Sequence, residues 1–260
     1  MQIDFRKYHG TGNDFILIDN RNGSARLLPE QIGNLCHRRF GIGADGLMLL
    51  KTEPGVDFRM VYYNSDGNQS SMCGNGGRCI TVFAKDLGII QNKARFTAID
   101  GLHEALIDKD NHVSLRMQDV KQIEIGQDSC FLNTGSPHYV KMVKDVQNYD
   151  VLGEGRKIRY NDKFKEEGTN VNFIEKVDDH LFVRTYERGV EDETYSCGTG
   201  VTAAALVASI KGLSTERNTC SVRTIGGVLD VSFEKVLEQN FYNIWLKGPA
   251  VYVFSGTVNI

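Results

Sequence analysis

The sequence predicts an α+β protein of two pseudo-symmetric lobes, each a curved, mostly antiparallel sheet wrapped around a central helix. Apolar and polar residues alternate with period two along much of the chain, which is typical of strands. Turn signals between these segments indicate hairpins. The third observation is a repeat. Residues 73–76 read Cys-Gly-Asn-Gly, residues 197–200 read Cys-Gly-Thr-Gly, and each opens an apolar run that ends in glycine, at Gly88 and Gly212.

The strand pattern is clearest at residues 57–64, 95–100, 105–108 and 112–117. Turn-forming residues at 108–111 and at Asp178-Asp179 each predict a hairpin. Gly226-Gly227 predicts a two-residue turn between strands at 221–225 and 228–233. Because hairpins join antiparallel strands, the sheets are expected to be largely antiparallel.

Three segments have helical patterns. One spans residues 29–40 and has a proline at its start, and the other two follow the cysteine motifs. The run at 201–210 carries almost no charge on any face, so as a helix it must be surrounded by protein. A sheet wrapped around this helix would bury it.

The repeat extends beyond the two tetrapeptides. Nine residues before each cysteine stand Asn64 and Arg188, both at the end of a strand pattern. Further upstream, Gly12 precedes Cys73 by 61 residues and Gly135 precedes Cys197 by 62. The chain therefore reads as a duplicated lobe, with an N-terminal lobe at 1–118 and a C-terminal lobe at 119–249. A cleft between two lobes is the natural place for a site.

Composition excludes several classes of protein. The 260 residues are 41% hydrophobic and 24% charged, a soluble globular balance with a net charge of -3. The charges are interspersed, so no patch predicts nucleic-acid or membrane binding. The first residues lack a signal peptide, and we expect a cytoplasmic protein. Six sparse cysteines predict free thiols, and none of their spacings indicates a metal site.

The duplicated cysteines suggest acid–base chemistry. A thiol at a helix N-terminus experiences the positive end of the helix dipole, which favours thiolate. Cys73 and Cys197 would together supply one thiolate and one thiol facing one substrate. The other four cysteines, Cys36, Cys79, Cys130 and Cys220, are interpreted as small buried hydrophobic residues.

Four motifs resemble those of diaminopimelate epimerase: Gly10-Thr-Gly-Asn-Asp-Phe15, Met72-Cys-Gly-Asn-Gly-Gly-Arg-Cys79, Tyr186-Glu-Arg-Gly-Val190 and Ser196-Cys-Gly-Thr-Gly200. The resemblance covers both halves of the chain. It implies that two cysteines interconvert the L,L and meso forms of diaminopimelate, for lysine and peptidoglycan synthesis, without pyridoxal phosphate or another cofactor. It also implies that the final strand, at 250–260, returns to the first lobe.

The chemistry and the resemblance assign further roles. An α-carbon is inverted when a base and an acid flank it, and the carboxylate must be stabilised as it becomes enediolate-like. Backbone N–H groups at the two helix starts are expected to hold that carboxylate: Gly74, Asn75, Gly198 and Thr199. The resemblance implies that Glu187 binds the ammonium group, and that the distal end is held by Arg188, Asn64 and Asn170, with Asn13 as a further ligand. His138 is a candidate for tuning the charge of the thiols.

Three features depart from the family pattern. Gly46 stands where many relatives carry a glutamine that contacts substrate, so that contact is either missing or replaced. Ser136 stands where relatives often have asparagine, and its hydroxyl would take the place of an amide. The segment between Arg188 and Cys197 is one residue longer than usual.

Other functions remain open from the sequence. Proline or hydroxyproline racemases also use two cysteines, but Asn75 occupies the position where they have histidine. An isomerase of the phenazine-biosynthesis type lacks the cysteine pair. A non-enzymatic protein that binds the amino acid would need no activated thiols, and a thiol–disulfide oxidoreductase would need Cys-x-x-Cys spacing. A homodimer is also left open.

Overall fold

Strands predominate in the computed structural model, which describes residues 2–70, 72–214 and 216–260. The chain divides into two compact units: residues up to Leu115 together with Gly248–Ile260, and Arg116–Lys247. Each unit combines a sheet with a small number of helices, which confirms the predicted α+β class. Within the described residues, no helix is long and apolar enough to cross a lipid bilayer.

The first unit builds a mixed sheet around one long helix. Its strands pair antiparallel as β1–β2, β3–β4, β6–β7 and β7–β8, and parallel as β2–β3 and β4–β6. The elements run β1 (Gln2–Gly10), β2 (Asn13–Asp19), α1 (Pro29–Cys36), β3 (Gly46–Lys51), β4 (Phe58–Asn64), β5 (Gln69–Ser70), α2 (Gly74–Asp86), β6 (Lys93–Ala98), β7 (Gly101–Ile107) and β8 (His112–Arg116).

The second unit has a sheet of similar construction. Its strands pair antiparallel as β9–β10, β10–β11, β12–β13, β15–β16 and β16–β17, and parallel as β11–β12 and β13–β15. The elements run β9 (Ile123–Ile125), β10 (Ser129–Asn133), β11 (Pro137–Met142), α3 (Val151–Arg159), β12 (Asn170–Val177), β13 (His180–Glu187), β14 (Asp192–Thr194), α4 (Gly198–Ile210), β15 (Thr219–Thr224), β16 (Gly227–Leu237) and β17 (Asn240–Pro249).

The two units repeat one pattern of connections. In each, a hairpin leads through a short helix to a parallel strand, then to an antiparallel strand, then through the long helix to a second parallel strand. The cysteine motifs fall at the same step, directly before α2 and α4.

The final strand, β18 (Val251–Asn259), belongs to the first unit. It pairs antiparallel with β1 along nearly its whole length, from Gln2 opposite Asn259 to His9 opposite Val251. Residues at 2–9 and 251–259 therefore lie in adjacent strands.

Both long helices are buried within their own units. In α2 the whole stretch from Gly74 to Ala84 is buried, and in α4 only Thr199, Ser209 and Ile210 are not fully buried. Gly88 and Gly212 follow the two helices with φ of 71° and 69°, the left-handed conformation that commonly ends a helix. The prediction that the uncharged run at 201–210 forms a buried helix is confirmed.

Helix α1 is shorter than the sequence pattern predicts. It ends at Cys36, and the predicted extension to Phe40 is wrong. His37 is extended at the end of the helix, and its Nδ1 accepts hydrogen bonds from the backbone N–H groups of Arg39 and Phe40. This side-chain acceptor competes with the next helical turn, as polar residues near helix ends commonly do.

The hairpin predictions are confirmed with one shift. Asp178-Asp179 forms the turn between β12 and β13, with Asp178 at φ 51°, and residues 108–111 form the turn between β7 and β8. At the third hairpin, Thr224 pairs with Gly227, so the turn is Ile225-Gly226 and not Gly226-Gly227. Pattern reading could not choose between two adjacent glycines that both permit a turn.

Candidate active site

Cys73 is the residue that precedes the first turn of α2. Its backbone is extended, with φ -98° and ψ 135°, and no side chain caps the helix at this position. The first backbone N–H groups of a helix have no acceptor within it, and here they belong to Gly74, Asn75 and Gly76. No acidic side chain lies in that turn. The thiol therefore stands beside a helix end that attracts negative charge.

Cys197 has the same place relative to α4. Its backbone is also extended, with φ -114° and ψ 112°, and the first turn again lacks a side-chain cap and an acidic residue. The Cys197 Sγ lies 3.5 Å from the hydroxyl of Thr199, and the Thr199 carbonyl accepts a hydrogen bond of 2.9 Å from Thr134. A hydroxyl can donate to a thiolate or accept from a thiol, so this contact serves either form of the sulfur.

Side chains of each sheet pack closely against the glycine at the third position of the helix. A Cβ at Gly76 would lie 2.5 Å from the terminal methyl of Met48, and a Cβ at Gly200 would lie 2.4 Å from the Oδ1 of Asn172. The same Cβ at Gly200 would be 3.4 Å from the Cys197 Sγ. In each unit, a side chain of the sheet therefore packs against the helix turn that follows the cysteine.

The amide of Asn13 is held in one orientation beside Cys73. Its Nδ2 donates to the Asp45 carboxylate at 2.6 Å, and its Oδ1 accepts from the Cys73 Sγ at 3.6 Å and from the Asn75 Nδ2 at 3.2 Å. Because a carboxylate only accepts hydrogen bonds, the amide must turn its NH₂ toward Asp45 and its oxygen toward the thiol. An oxygen acceptor at this place favours the S–H form of Cys73.

A network of charges fixes Asp45. Arg38 forms ion pairs with Asp45 at 2.6 Å and with Asp14 at 2.8 Å, and buried Lys7 pairs with Asp14 at 2.9 Å. Burial raises the pKa of Asp14, but the hydrogen bonds and charges of Arg38 and Lys7 outweigh it and hold the pKa at about 2. The carboxylate that orients Asn13 thus shares Arg38 with Asp14, whose low pKa keeps it charged over the ordinary pH range.

Arg78 is a buried cation close to the first cysteine. It is fully buried, and its guanidinium donates to neutral oxygens of Asn75, Gly74, Thr11 and Pro249. Burial lowers its pKa, an effect opposed by the thiols of Cys79 and Cys73. Its positive charge therefore favours negative charge at the start of α2.

In the second unit, Asn170, Ser136 and Arg188 lie together. The Asn170 Nδ2 donates to the Ser136 Oγ at 3.0 Å and to the Pro137 carbonyl at 3.1 Å, while its Oδ1 accepts from the Arg188 backbone N–H at 2.9 Å. The Arg188 guanidinium donates to the Glu167 carbonyl at 2.8 Å and reaches the Ser136 Oγ at 3.4 Å. The serine that departs from the family pattern is thus a contact of both predicted ligands.

Glu187 lies at the end of β13. Its Oε2 accepts a hydrogen bond of 2.8 Å from the Thr194 hydroxyl on β14, and the two strands pair along this stretch. The carboxylate is therefore anchored from one side.

His138 is neutral at physiological pH. It is fully buried, and burial together with the charge of Arg188 lowers its pKa to about 3. Thr185 donates to the Asn172 Oδ1 at 3.0 Å, so Asn172 presents its Nδ2 to the His138 Nδ1 at 3.1 Å, and the ring proton lies on Nε2. The imidazole therefore brings no positive charge to the thiols, and the expected tuning by that route is not supported.

Asn64 and Gly46 face each other across β4 and β3. Gly46 has no room for a side chain, since a Cβ there would lie 2.5 Å from the ring of Tyr62.

The other buried cysteines fit their structural interpretation. Burial raises the pKa of Cys36 and Cys79 to about 12 and of Cys220 to about 11.

Several neighbours of the predicted ligands were not identified from the sequence. Arg78 stood within one of the four motifs but carried no assigned role. Asp45, Asn172 and Thr134 lay outside the four motifs. Each acts through a residue that the motifs did mark. Asp45 could have been found from its position directly before Gly46, which departs from the family pattern. No local pattern marks Asn172.

The fold is shared with solved structures of low sequence identity. A PhzF-family phenazine biosynthesis protein from Bacillus anthracis superposes with a TM-score of 0.73 at 15% identity, covering 100% of both chains. A hydroxyproline epimerase from Agrobacterium vitis, with bound trans-4-hydroxy-L-proline, gives a TM-score of 0.72 at 14% identity, covering 99% of this chain and 92% of the other. The architecture is therefore that of the PhzF and proline racemase class.

Among proteins of this fold, comparison of sequences identifies one family. The family model for diaminopimelate epimerase matches residues 5–123 and 130–253. A diaminopimelate epimerase from Flavobacterium psychrophilum is 53% identical over 257 residues, covering 97% of this chain and 98% of its own, and one from Chlorobaculum tepidum is 44% identical over 259 residues, covering 96% and 99%. The chain belongs to the diaminopimelate epimerase family, a family of isomerases that act on an amino acid.

Proposed function

We propose that this protein inverts one α-carbon of diaminopimelate, a small amino-acid substrate, with Cys73 and Cys197 as the acid and the base. The observation that carries the proposal is that both cysteines directly precede glycine-rich helix starts without caps, at the same step of two units with one pattern of connections. Membership of the diaminopimelate epimerase family supports the substrate.

The chemistry requires no group beyond this chain and the substrate. One thiolate removes the α-proton from one face, and the opposite thiol delivers a proton to the other face. The two sulfurs exchange roles in the reverse direction. Because Asn13 offers an oxygen acceptor to Cys73, we infer that Cys73 is the protonated partner before substrate binds. Cys197 is then the thiolate, with the Thr199 hydroxyl as its donor.

The reacting carboxylate gains negative charge as the α-proton leaves. N–H groups of Gly74 and Asn75 in one unit and of Gly198 and Thr199 in the other are the donors that we assign to it. Donors preorganised toward developing charge commonly lower the barrier of such reactions more than any other single interaction. The Arg78 charge adds to the first of these sites.

The remaining ligands distinguish a long substrate from a compact one. We assign Glu187 to the ammonium group and Arg188 with Asn170, Asn64 and Asn13 to the distal amino-acid end. Ser136, which contacts both Asn170 and Arg188, takes the place of the amide usual in the family. A cyclic amino acid such as proline has no distal end for these groups to bind.

Reaction in D₂O tests the proposal. The reduced protein is incubated with L,L-diaminopimelate, and the stereochemistry and mass of the product are followed. We expect the meso product to carry one solvent deuteron at the inverted carbon. Cys73→Ala and Cys197→Ala should each abolish epimerisation, whereas Cys220→Ala, at a buried thiol, serves as the matched control.

Each contrary outcome points to a different function. Binding of diaminopimelate without inversion or exchange would indicate a binding protein. Exchange with proline, and none with diaminopimelate, would indicate a proline-type racemase. Full activity in either catalytic-cysteine variant would refute the two-base assignment.

We further propose that the protein forms a homodimer in the cytoplasm. Four apolar side chains on β18, at 251–254, are 42–50% exposed, and they lie on both faces of the strand because Tyr252 pairs with Tyr8 and Phe254 with Lys7. Exposed apolar side chains along a strand commonly mark an interface. The six cysteines all lie within the described residues and form no disulfide, as expected in a reducing compartment. Light scattering on the wild type and on Val253→Lys tests the dimer, and fractionation of cells tests the compartment. A wild type that stays monomeric at micromolar concentration would exclude this interface.

A further inference from the structure

Tyr62 occupies the space that a side chain at position 46 would need. A Cβ built on Gly46 would lie 2.5 Å from the Tyr62 Cε2 and 3.0 Å from its hydroxyl oxygen, as well as 2.6 Å from the Tyr63 carbonyl. The hydroxyl, and not only the ring, therefore lies beside the backbone of Gly46.

Sheet register explains this position. Gly46 pairs with Asn64, and Tyr62 pairs with Met48, so Tyr62 and Gly46 are diagonal neighbours on one face. Diagonal side chains are about 7–8 Å apart at their origins, within reach of an aromatic ring. The ring also contacts Phe15 edge to face, with centroids 6.0 Å apart. Phe15, Gly46 and Asn64 pair in one row across β2, β3 and β4. The two contacts of the Tyr62 ring place its hydroxyl beside that row.

The face that carries Tyr62 also carries the first half of the site. Met60 lies two residues before Tyr62 on the same face, and its terminal methyl is 3.5 Å from a Cβ built on Gly76, in the first turn of α2. Asn13 lies two residues before Phe15, and its amide oxygen contacts the Cys73 thiol. Tyr62 therefore stands on the side of the sheet that faces the reacting cysteine.

Tyr62 lies two residues before Asn64, the predicted ligand at the end of β4. Two residues along a strand advance about 6.8 Å, so the Tyr62 position lies that far beyond Met60, toward the end of β4 where Asn64 stands. The hydroxyl lies beside Gly46, which pairs with Asn64, and we assign Asn64 to the distal end of the substrate. It is placed for the non-reacting end of a long substrate.

We propose that the Tyr62 hydroxyl, which fills the place of a side chain at Gly46, hydrogen-bonds the distal amino-acid end of the substrate. This assignment rests on the proposed function. A neutral phenol donates one hydrogen bond and accepts others, so it suits either the distal carboxylate or the distal ammonium group. Gly46 and Tyr62 then act as one unit: the glycine makes room, and the tyrosine supplies the polar contact.

Tyr62→Phe removes only the oxygen and keeps the ring that fills the space over Gly46. Because a hydrogen bond to a charged group is strong, we expect KM for diaminopimelate to rise at least about tenfold, with kcat changed less than about threefold. The matched control is Tyr63→Phe, since Tyr63 packs in the apolar cluster with Ile18 and Leu49. Its KM should stay at the wild-type value.

Thermal unfolding separates binding from a structural role. If Tyr62→Phe lowered the melting temperature by several degrees and left KM unchanged, the hydroxyl would be structural and the assignment overturned. The wild-type protein must exchange the α-proton of diaminopimelate in the same assay. Absence of that exchange would overturn the proposed function itself, whereas exchange with equal KM in both proteins would overturn the role of Tyr62 alone.

Two analogues identify the bound group. 2-Aminopimelate lacks the distal ammonium group and lysine lacks the distal carboxylate, and the affinity of each is measured for wild type and Tyr62→Phe by inhibition of epimerisation. The analogue that lacks the partner of Tyr62 should bind both proteins equally, while the other should lose affinity in the variant. Equal loss with both analogues would place the hydroxyl away from the distal end and overturn the proposal.

Discussion

Gly200→Ala should damage the second half of the site far more than Gly76→Ala damages the first. Both glycines are the third residue of their helices, and both substitutions gain about 0.5–1 kcal/mol in helix propensity. They differ in the atom that the new methyl would meet. Gly76 faces the mobile end of Met48, whereas Gly200 faces the Asn172 Oδ1, which accepts a hydrogen bond from Thr185.

The difference can be estimated. Overpacking against a fixed group costs about 1–3 kcal/mol, and displacing Asn172 leaves buried partners without hydrogen bonds at a further cost of about 1–3 kcal/mol. Subtracting the propensity gain leaves Gly200→Ala destabilised by roughly 1–5.5 kcal/mol, with a central value of about 3 kcal/mol. Moving the Met48 methyl costs only about 0.5–1.5 kcal/mol, so Gly76→Ala should stay within about 1 kcal/mol of the wild type.

Urea unfolding followed by circular dichroism measures both changes, and epimerisation in D₂O reports on the site. In an Asn172→Ala background, Gly200→Ala should cost clearly less than in the wild type, because the colliding oxygen is gone. Equal unfolding midpoints for Gly200→Ala and Gly76→Ala, or an unchanged cost in the Asn172→Ala background, would refute the reasoning.

Three further changes test the electrostatics. Unfolded His138 is protonated below about pH 6.5, whereas the folded form is protonated only near pH 3. The free energy of unfolding should therefore fall by about 1.4 kcal/mol for each pH unit as the pH is lowered through that window. His138→Gln should flatten this slope in urea titrations, and an unchanged slope would contradict the buried neutral ring. Arg78→Met, made in a Cys197→Ala background, should slow alkylation of Cys73 at fixed pH, because loss of the nearby positive charge disfavours the thiolate. An equal rate would show that Arg78 does not affect the charge of this thiol. Asp45→Asn should speed the same alkylation, because the Asn13 amide can then turn its NH₂ toward the sulfur and stabilise the thiolate. A slower rate would contradict the orientation of Asn13 inferred from Asp45.

The sequence predicted the fold where a pattern repeats. The two cysteine motifs marked the starts of α2 and α4 because each tetrapeptide directly precedes an apolar run, and the strands followed from period-two alternation. The end of α1 was wrong because it depends on a side-chain contact of His37 that no periodicity reveals.

Contacts between distant positions limited prediction of the candidate site. Asn13 was marked by its motif, but its orientation depends on Asp45, 32 residues away, and on the ion pair of Asp45 with Arg38. Gly46 was recognised as an exception, yet only the register of β3 against β4 shows that Tyr62 fills the space. Sequence patterns identify which residue types are present, whereas such pairings arise from the tertiary fold.

The pairing of β18 with β1 has a consequence for biosynthesis. The second unit is one continuous stretch, Arg116–Lys247, so every residue of it is synthesised before Gly248. The first unit must wait, because Gln2 pairs with Asn259 and the guanidinium of Arg78 donates to the carbonyl of Pro249. The first unit, although most of its strands are made first, therefore cannot complete its sheet around Cys73 until the chain beyond the second unit has been made.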